Sequence, residues 1–106
     1  MTVTEWPAYL LRSIPQHLRE DMSARAAYDD ISLADVVRQA LCHHYKLDCD
    51  PASFGYQAEL DTGGETILVR LQPDLWAMMK KETRARYGAF RQLILQSLTD
   101  YLGETT

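Results

Sequence analysis

Apolar residues in the second half of this chain change period once, from alternating to helical, and the helical stripe then starts afresh in a second segment. Over Ile67-Leu68-Val69-Arg70-Leu71-Gln72 they alternate, with Ile67, Val69 and Leu71 on one face and Leu68, Arg70 and Gln72 on the other. Period-two patterning with β-branched residues predicts a strand. From Pro73 the spacing becomes helical: Leu75, Met78 and Met79 form a stripe, and Lys80, Lys81, Arg84 and Arg86 surround it. Pro73 suits a first helical turn, Asp74 places negative charge near the positive dipole end, and Gly88 suits a left-handed stop. Phe90, Leu93, Ile94, Ser97, Leu98 and Tyr101 then make the stripe of a second helix. One strand and two helices of this size cannot close a core alone.

The first half carries the same grammar. An offset of 57 residues places Leu18 on Leu75, Met22 on Met79, Gln39 on Gln96 and Leu41 on Leu98. It also matches Ile14 with Leu71, Val36 with Leu93, Val37 with Ile94 and Ala40 with Ser97, without a gap. An internal duplication is the economical reading. The first strand, Tyr9–Ile14, alternates poorly, and the repeat register turns Leu10, Arg12 and Ile14 inward. An unpaired inward charge is expensive. Either the stem of Arg12 snorkels past the helix ends, or the strand is bulged by one residue. Trp6, just before it, is expected to cap the ribbon edge or core. The first helix is expected over Pro15–Tyr28, with Leu18, Met22, Arg25 and Ala26 on its stripe. Ser32-Leu33-Ala34-Asp35 has the form of a capping box. The second helix, Leu33 to about Tyr45, is expected to bury Val36, Val37, Ala40, Leu41 and His44.

Between the halves, residues 46–66 are a connector whose turn material is Asp50-Pro51-Ala52-Ser53 and Asp61-Thr62-Gly63-Gly64. Tyr56–Leu60 alternates and is expected to add a third strand beside Ile67–Gln72. Gly103–Thr106 reads as a frayed tail. At 106 residues, 46% hydrophobic and 25% charged, the composition is that of an ordinary globular protein. The net charge of −4 is unevenly spread: residues 67–102 carry a local +3, 9–45 a local −1 and 46–66 a local −4. An acidic total therefore does not exclude a basic face. No apolar run reaches the roughly 20 residues of a membrane span, and MTVTEWP is not a leader. Cys42 and Cys49 make no disulfide framework and are expected as free thiols in a reducing cytoplasm.

Strand–helix–helix of this length, with a step such as Leu71-Gln72-Pro73 into the first helix, resembles the ribbon-helix-helix superfamily of Arc- and MetJ-type DNA-binding proteins. The resemblance covers Tyr9–Tyr45 and Ile67–Leu102. It implies an α+β, mostly α, fold: a single pseudo-dimeric domain over residues 1–106, with repeats at 9–45 and 67–102. Two strands, or three with the connector, would pair antiparallel over a four-helix core. By resemblance the outward ribbon face enters the major groove, which makes Arg70, Gln72, Leu68, Ser13 and Leu11 the candidate base contacts. Arg can pair with guanine, Gln with adenine, and Leu can pack on thymine methyls. The family also holds phosphate at the N-terminus of its second helix, which points to Ser32 and Leu33, and to Ala89 and Phe90. Arg91, Arg86 and Lys81 are further phosphate candidates, although a basic helix face is more often merely solvated.

The expected function is sequence-specific binding of double-stranded DNA as a transcriptional regulator, a repressor or an accessory protein of a phage or plasmid, in a prokaryotic or phage-infected cytoplasm. Because the halves differ, an asymmetric site is expected, with self-association on adjacent sites. The alternative is an antitoxin-like or phage-encoded protein-interaction module with a protein partner, which the outward leucines and acidic connector favour. No cofactor is implied. Cys42, His43, His44 and Cys49 lack a CxxC pair and the spacing of a zinc site. Neither a phosphate loop nor paired acids suggest an enzyme.

Overall fold

The computed structural model describes residues 6–47, 66–84 and 89–105. Strand β1 (Ala8–Leu11) is followed by helices α1 (Gln16–Asp29) and α2 (Leu33–His44). Strand β2 (Ile67–Arg70), α3 (Pro73–Thr83) and α4 (Ala89–Thr105) then repeat that order. Among the described residues the sheet has two strands, antiparallel, with Leu10 opposite Leu68 and Leu11 opposite Ile67. Leu71 N–H extends the ribbon by donating to Pro7 O at 2.9 Å. The expected third strand, Tyr56–Leu60, and the expected stop at Gly88 lie outside the described residues.

The two first helices are built alike. Pro15 and Gln72 precede them with nearly the same backbone angles, φ −56 and ψ 140 against φ −55 and ψ 142. Leu18, Met22 and Ala26 are the buried residues of α1, and Leu75, Met79 and Thr83, each 57 residues on, are those of α3. Both helices end on a left-handed residue that is not glycine, Asp30 and Arg84, so α3 stops short of the basic tail expected to continue it. In α2, Ser32 Oγ accepts from Asp35 N–H while Asp35 Oδ2 accepts from Ser32 N–H, a complete capping box.

The core lies where the second helices meet. α2 packs on α4, supplying Val36, Val37, Ala40 and Leu41 against Ile94, Ser97, Leu98 and Tyr101. The ribbon closes it with Leu11, Ile67 and Val69, and Trp6 packs at the margin. Each such aliphatic side chain contributes roughly 1.5–3 kcal/mol by leaving water. Tyr9, Phe90 and Trp76 stack edge to face, with centroids 5.8 and 5.1 Å apart, tying β1 to α4 and α3.

Four expectations are corrected here. The helix α4 runs through Gly103, which is therefore not part of a frayed tail. His44 does not enter the core: its Nε2 lies 3.3 Å from Glu82, while His43 is the ring beside Tyr101, at 5.6 Å. Consecutive helical residues point about 100° apart, and the last turn of α2 presents His43 to Tyr101 of α4. Cys42 is buried and disulfide-bonded rather than a free thiol, and the chain's other cysteine, Cys49, lies outside the described residues. The chain folds back at this point, since Lys46 has φ 58 and Leu47 N–H donates to Cys42 O at 2.8 Å. Lastly, the first strand faces the opposite way from the repeat register, which bears directly on the site.

Candidate nucleic-acid interface

Leu11 is fully buried, whereas Leu10 is 36% exposed and Arg12 is exposed. Leu11 is thus a core residue and has no access to a groove, which removes it from the base-contact set. The cause is a single extra residue. Counted from the equivalent inward residues Leu11 and Val69 to the helix starts at Gln16 and Pro73, the first half has one more position than the second, and Ser13 absorbs it at φ 55. A one-residue slip in a strand exchanges its faces. The bulge is therefore what turns Arg12 outward.

With the bulge placed, the strands correspond at an offset of 58 residues, from Leu10 to Leu68, around the Leu10–Leu68 pair. The outward row of β1 is Ala8, Leu10 and then Arg12; that of β2 is Thr66, Leu68 and Arg70. Inward stand Tyr9 and Leu11 against Ile67 and Val69. Arg12 and Arg70 thereby occupy equivalent places on either side of the two central leucines. Of the two alternatives the sequence leaves for Arg12, a snorkelling stem or a strand bulged by one residue, the bulge holds; Arg12 is absent from the expected base contacts because the helix offset was carried into the strand. The alternation of Tyr9 with Leu11, read on its own, was the signal that could have found it.

The ends of both rows are held from beneath. Arg38 is 2% exposed; its Nη1 donates to Arg70 O at 2.7 Å and its Nη2 to Asp35 Oδ1. Arg91 Nε donates to Arg12 O at 2.9 Å, and its Nη2 to Ser13 O at 2.7 Å. Each bond crosses between the halves, from α2 to β2 and from α4 to the end of β1. Strand-end carbonyls have no ladder partner and must find another donor. Arg91 is therefore committed to two carbonyls, where a phosphate contact was expected.

No protein-family model matches this chain, and no curated protein or solved structure does.

The remaining candidates separate by place. Arg70 and Leu68 are half-buried on the outward row. Gln72 precedes α3, and its Oε1 is enclosed, with no hydrogen-bond partner among the described residues. Its amide oxygen is not displayed with the row. Ser13 is exposed but sits in the bulge, and its carbonyl is taken by Arg91. At the start of α2 the anion position is filled by the chain's own Asp35, so the hydroxyl of Ser32 is occupied at home. Leu33 packs against the core, Ala89 is buried, and Phe90 is wedged between Tyr9 and Trp76. Lys81 is exposed in the last turn of α3, where a cation also complements the helix dipole. Arg86 lies outside the described residues.

Far along α2 and α3, Glu82 accepts from the Tyr45 hydroxyl and faces His44. Burial first, and then this carboxylate, push the Tyr45 phenol above its ordinary range. An open groove of about 500 Å³ between Pro15 and Thr99 contains His17 as its one titratable side chain. Among the described residues that line it there is no acid–base pair.

Proposed function

We propose that this protein binds duplex DNA through the outward face of its ribbon, as a regulator or accessory factor of ribbon-helix-helix type built into one chain. The observation that carries the reading is the symmetric Arg12–Leu10–Leu68–Arg70 row on a two-stranded antiparallel ribbon. A ribbon with strands about 4.8 Å apart fits a major groove about 12 Å wide. Arginines at both ends can pair with guanine edges, and the leucines can meet thymine methyls. The repeated strand–helix–helix order and the burial recurring at 57 residues support the tandem architecture. The fall of the net charge to −4 lies largely in the connector, so the outward row keeps the positive charges of Arg12 and Arg70, while α3 is neutral, with Lys80 and Lys81 against Asp74 and Glu82.

The test is fluorescence anisotropy with a labelled mixed-sequence duplex over a salt series. Binding is expected at low salt, with affinity falling linearly against log salt concentration. Absence of binding at about 20 mM salt by folded protein would refute it; the Debye length there is roughly 20 Å and surface charge is fully felt. The outward Leu10–Leu68 pair, Leu10 exposed and Leu68 half-buried, favours a second reading, a protein-interaction face, and in that case duplex binding is absent while Leu10→Ser abolishes capture of the protein partner.

A further inference from the structure

The carbonyls gripped by Arg91 and Arg38 belong to the two outward arginines themselves, Arg12 and Arg70. Each reading position is thus fixed at its backbone by an arginine of the opposite half. The Arg38 grip is itself braced, because the guanidinium is buried and held by Asp35 of the capping box. The Arg91 grip spans two successive carbonyls across the bulge. These contacts set how far apart Arg12 and Arg70 stand.

That distance follows from the register. Arg12 directly follows the last residue of β1, two positions beyond Leu10, and Arg70 ends β2, two positions beyond Leu68, so the two run in opposite directions from the central pair. At about 3.3 Å per residue and about 4.8 Å between strands, their Cα atoms are roughly 14 Å apart. At about 3.4 Å per base pair this spans roughly four steps of duplex. Two arginines related by a local two-fold axis meet equivalent groups on opposite strands.

Resting on the DNA-binding reading above, we propose that the ribbon recognises two guanines on opposite strands about four base pairs apart, through Arg12 and Arg70, with Arg91 and Arg38 as the positioning residues that hold this spacing. The central Leu10–Leu68 pair favours thymines between them. The ribbon's target is then a short inverted repeat, although the flanking helices differ.

The test is selection from a randomised duplex pool by the full chain and by Arg12→Ala, Arg70→Ala and Arg91→Lys. Wild type should enrich one inverted guanine pair at a single spacing. Each alanine variant should keep one guanine and lose the other, binding the parental site about 5- to 150-fold more weakly. Arg91→Lys keeps the charge but cannot span both carbonyls; it should keep both guanines and accept spacings one base pair shorter and longer, with an unchanged salt slope. Thermal melting confirms that the variants are folded. Enrichment of the wild-type motif by Arg12→Ala, or a direct repeat, overturns the paired readout. A single fixed spacing with Arg91→Lys overturns the positioning role. No enrichment by folded wild type, together with no anisotropy change, removes the DNA-binding reading itself.

Discussion

Exchanging Asp35 and Arg38 for the residues that stand 57 positions on, Gln92 and Leu95, tests the buried ion pair against the chain's own alternative. Arg38 is 2% exposed and the Asp35 side chain 13%. Asp35→Gln alone strands the guanidinium beside a neutral amide. Removing one partner of a buried pair costs about 3–5 kcal/mol, and the slight exposure of Asp35 favours the lower figure. Gln keeps the capping role, so the loss there is small. Arg38→Leu alone leaves Arg70 O without this donor, a cost of about 1–3 kcal/mol, which burial of the leucine offsets by a similar amount. Asp35 then loses its ion-pair partner but keeps Ser32 N–H, and this loss makes the net change about 1–2 kcal/mol. In the double variant neither charge is buried alone, and the loss should also be about 1–2 kcal/mol. The coupling energy is then about 2–3 kcal/mol. Urea unfolding of the four proteins at equal slopes gives each value. Additivity within about 0.5 kcal/mol would show that the two groups do not act as a pair, and would refute the reasoning.

Ser13 holds φ 55 without the freedom of glycine, so Ser13→Gly should raise stability by up to about 1 kcal/mol, and Ser13→Val should lower it by about 1–2 kcal/mol; thermal melting distinguishes them. The raised Tyr45 pKa fixes a second sign: the folded state keeps a proton that the unfolded state loses above about pH 10, so stability falls as pH rises beyond that point. Tyr45→Phe should shed that part of the alkaline slope, as read from urea midpoints at pH 9 and 11, and equal slopes would refute it.

The helices were legible because a helix carries its register within itself. Leu18, Met22 and Ala26 define one stripe, and nothing between them depends on the neighbouring strand. The strands were less so. Their faces depend on where one extra residue is placed, and a serine at positive φ carries none of the sequence signal that glycine would. Arg38 was illegible for another reason. An Asp35–Arg38 pair at i, i+3 reads as an ordinary surface pair, and only the strand passing above it makes it buried. The disulfide at Cys42 was set aside on compartment grounds, and composition cannot weigh a fold-back at Lys46.

The distribution of sameness between the halves bears on function. Beneath the ribbon the two strands differ: Tyr9 stands where Ile67 does, and Leu11 where Val69 does. The grips differ too, since Arg38 and Arg91 reach equivalent strand ends from unlike positions on their helices. A single chain permits this, because no interface residue has to serve two identical copies. Packing tolerates such exchanges as long as volume and hydrogen bonds are satisfied. On the outward face, where packing imposes least, two of the three equivalent places carry the same residue, leucine with leucine and arginine with arginine, and only Ala8 and Thr66 differ. Stability alone gives no reason to turn two leucines outward at the centre of a ribbon, one exposed and one half-buried. A ligand that presents the same chemistry twice around a two-fold axis does give one. Duplex DNA is such a ligand, and the symmetric face over an asymmetric support is the form its recognition would take.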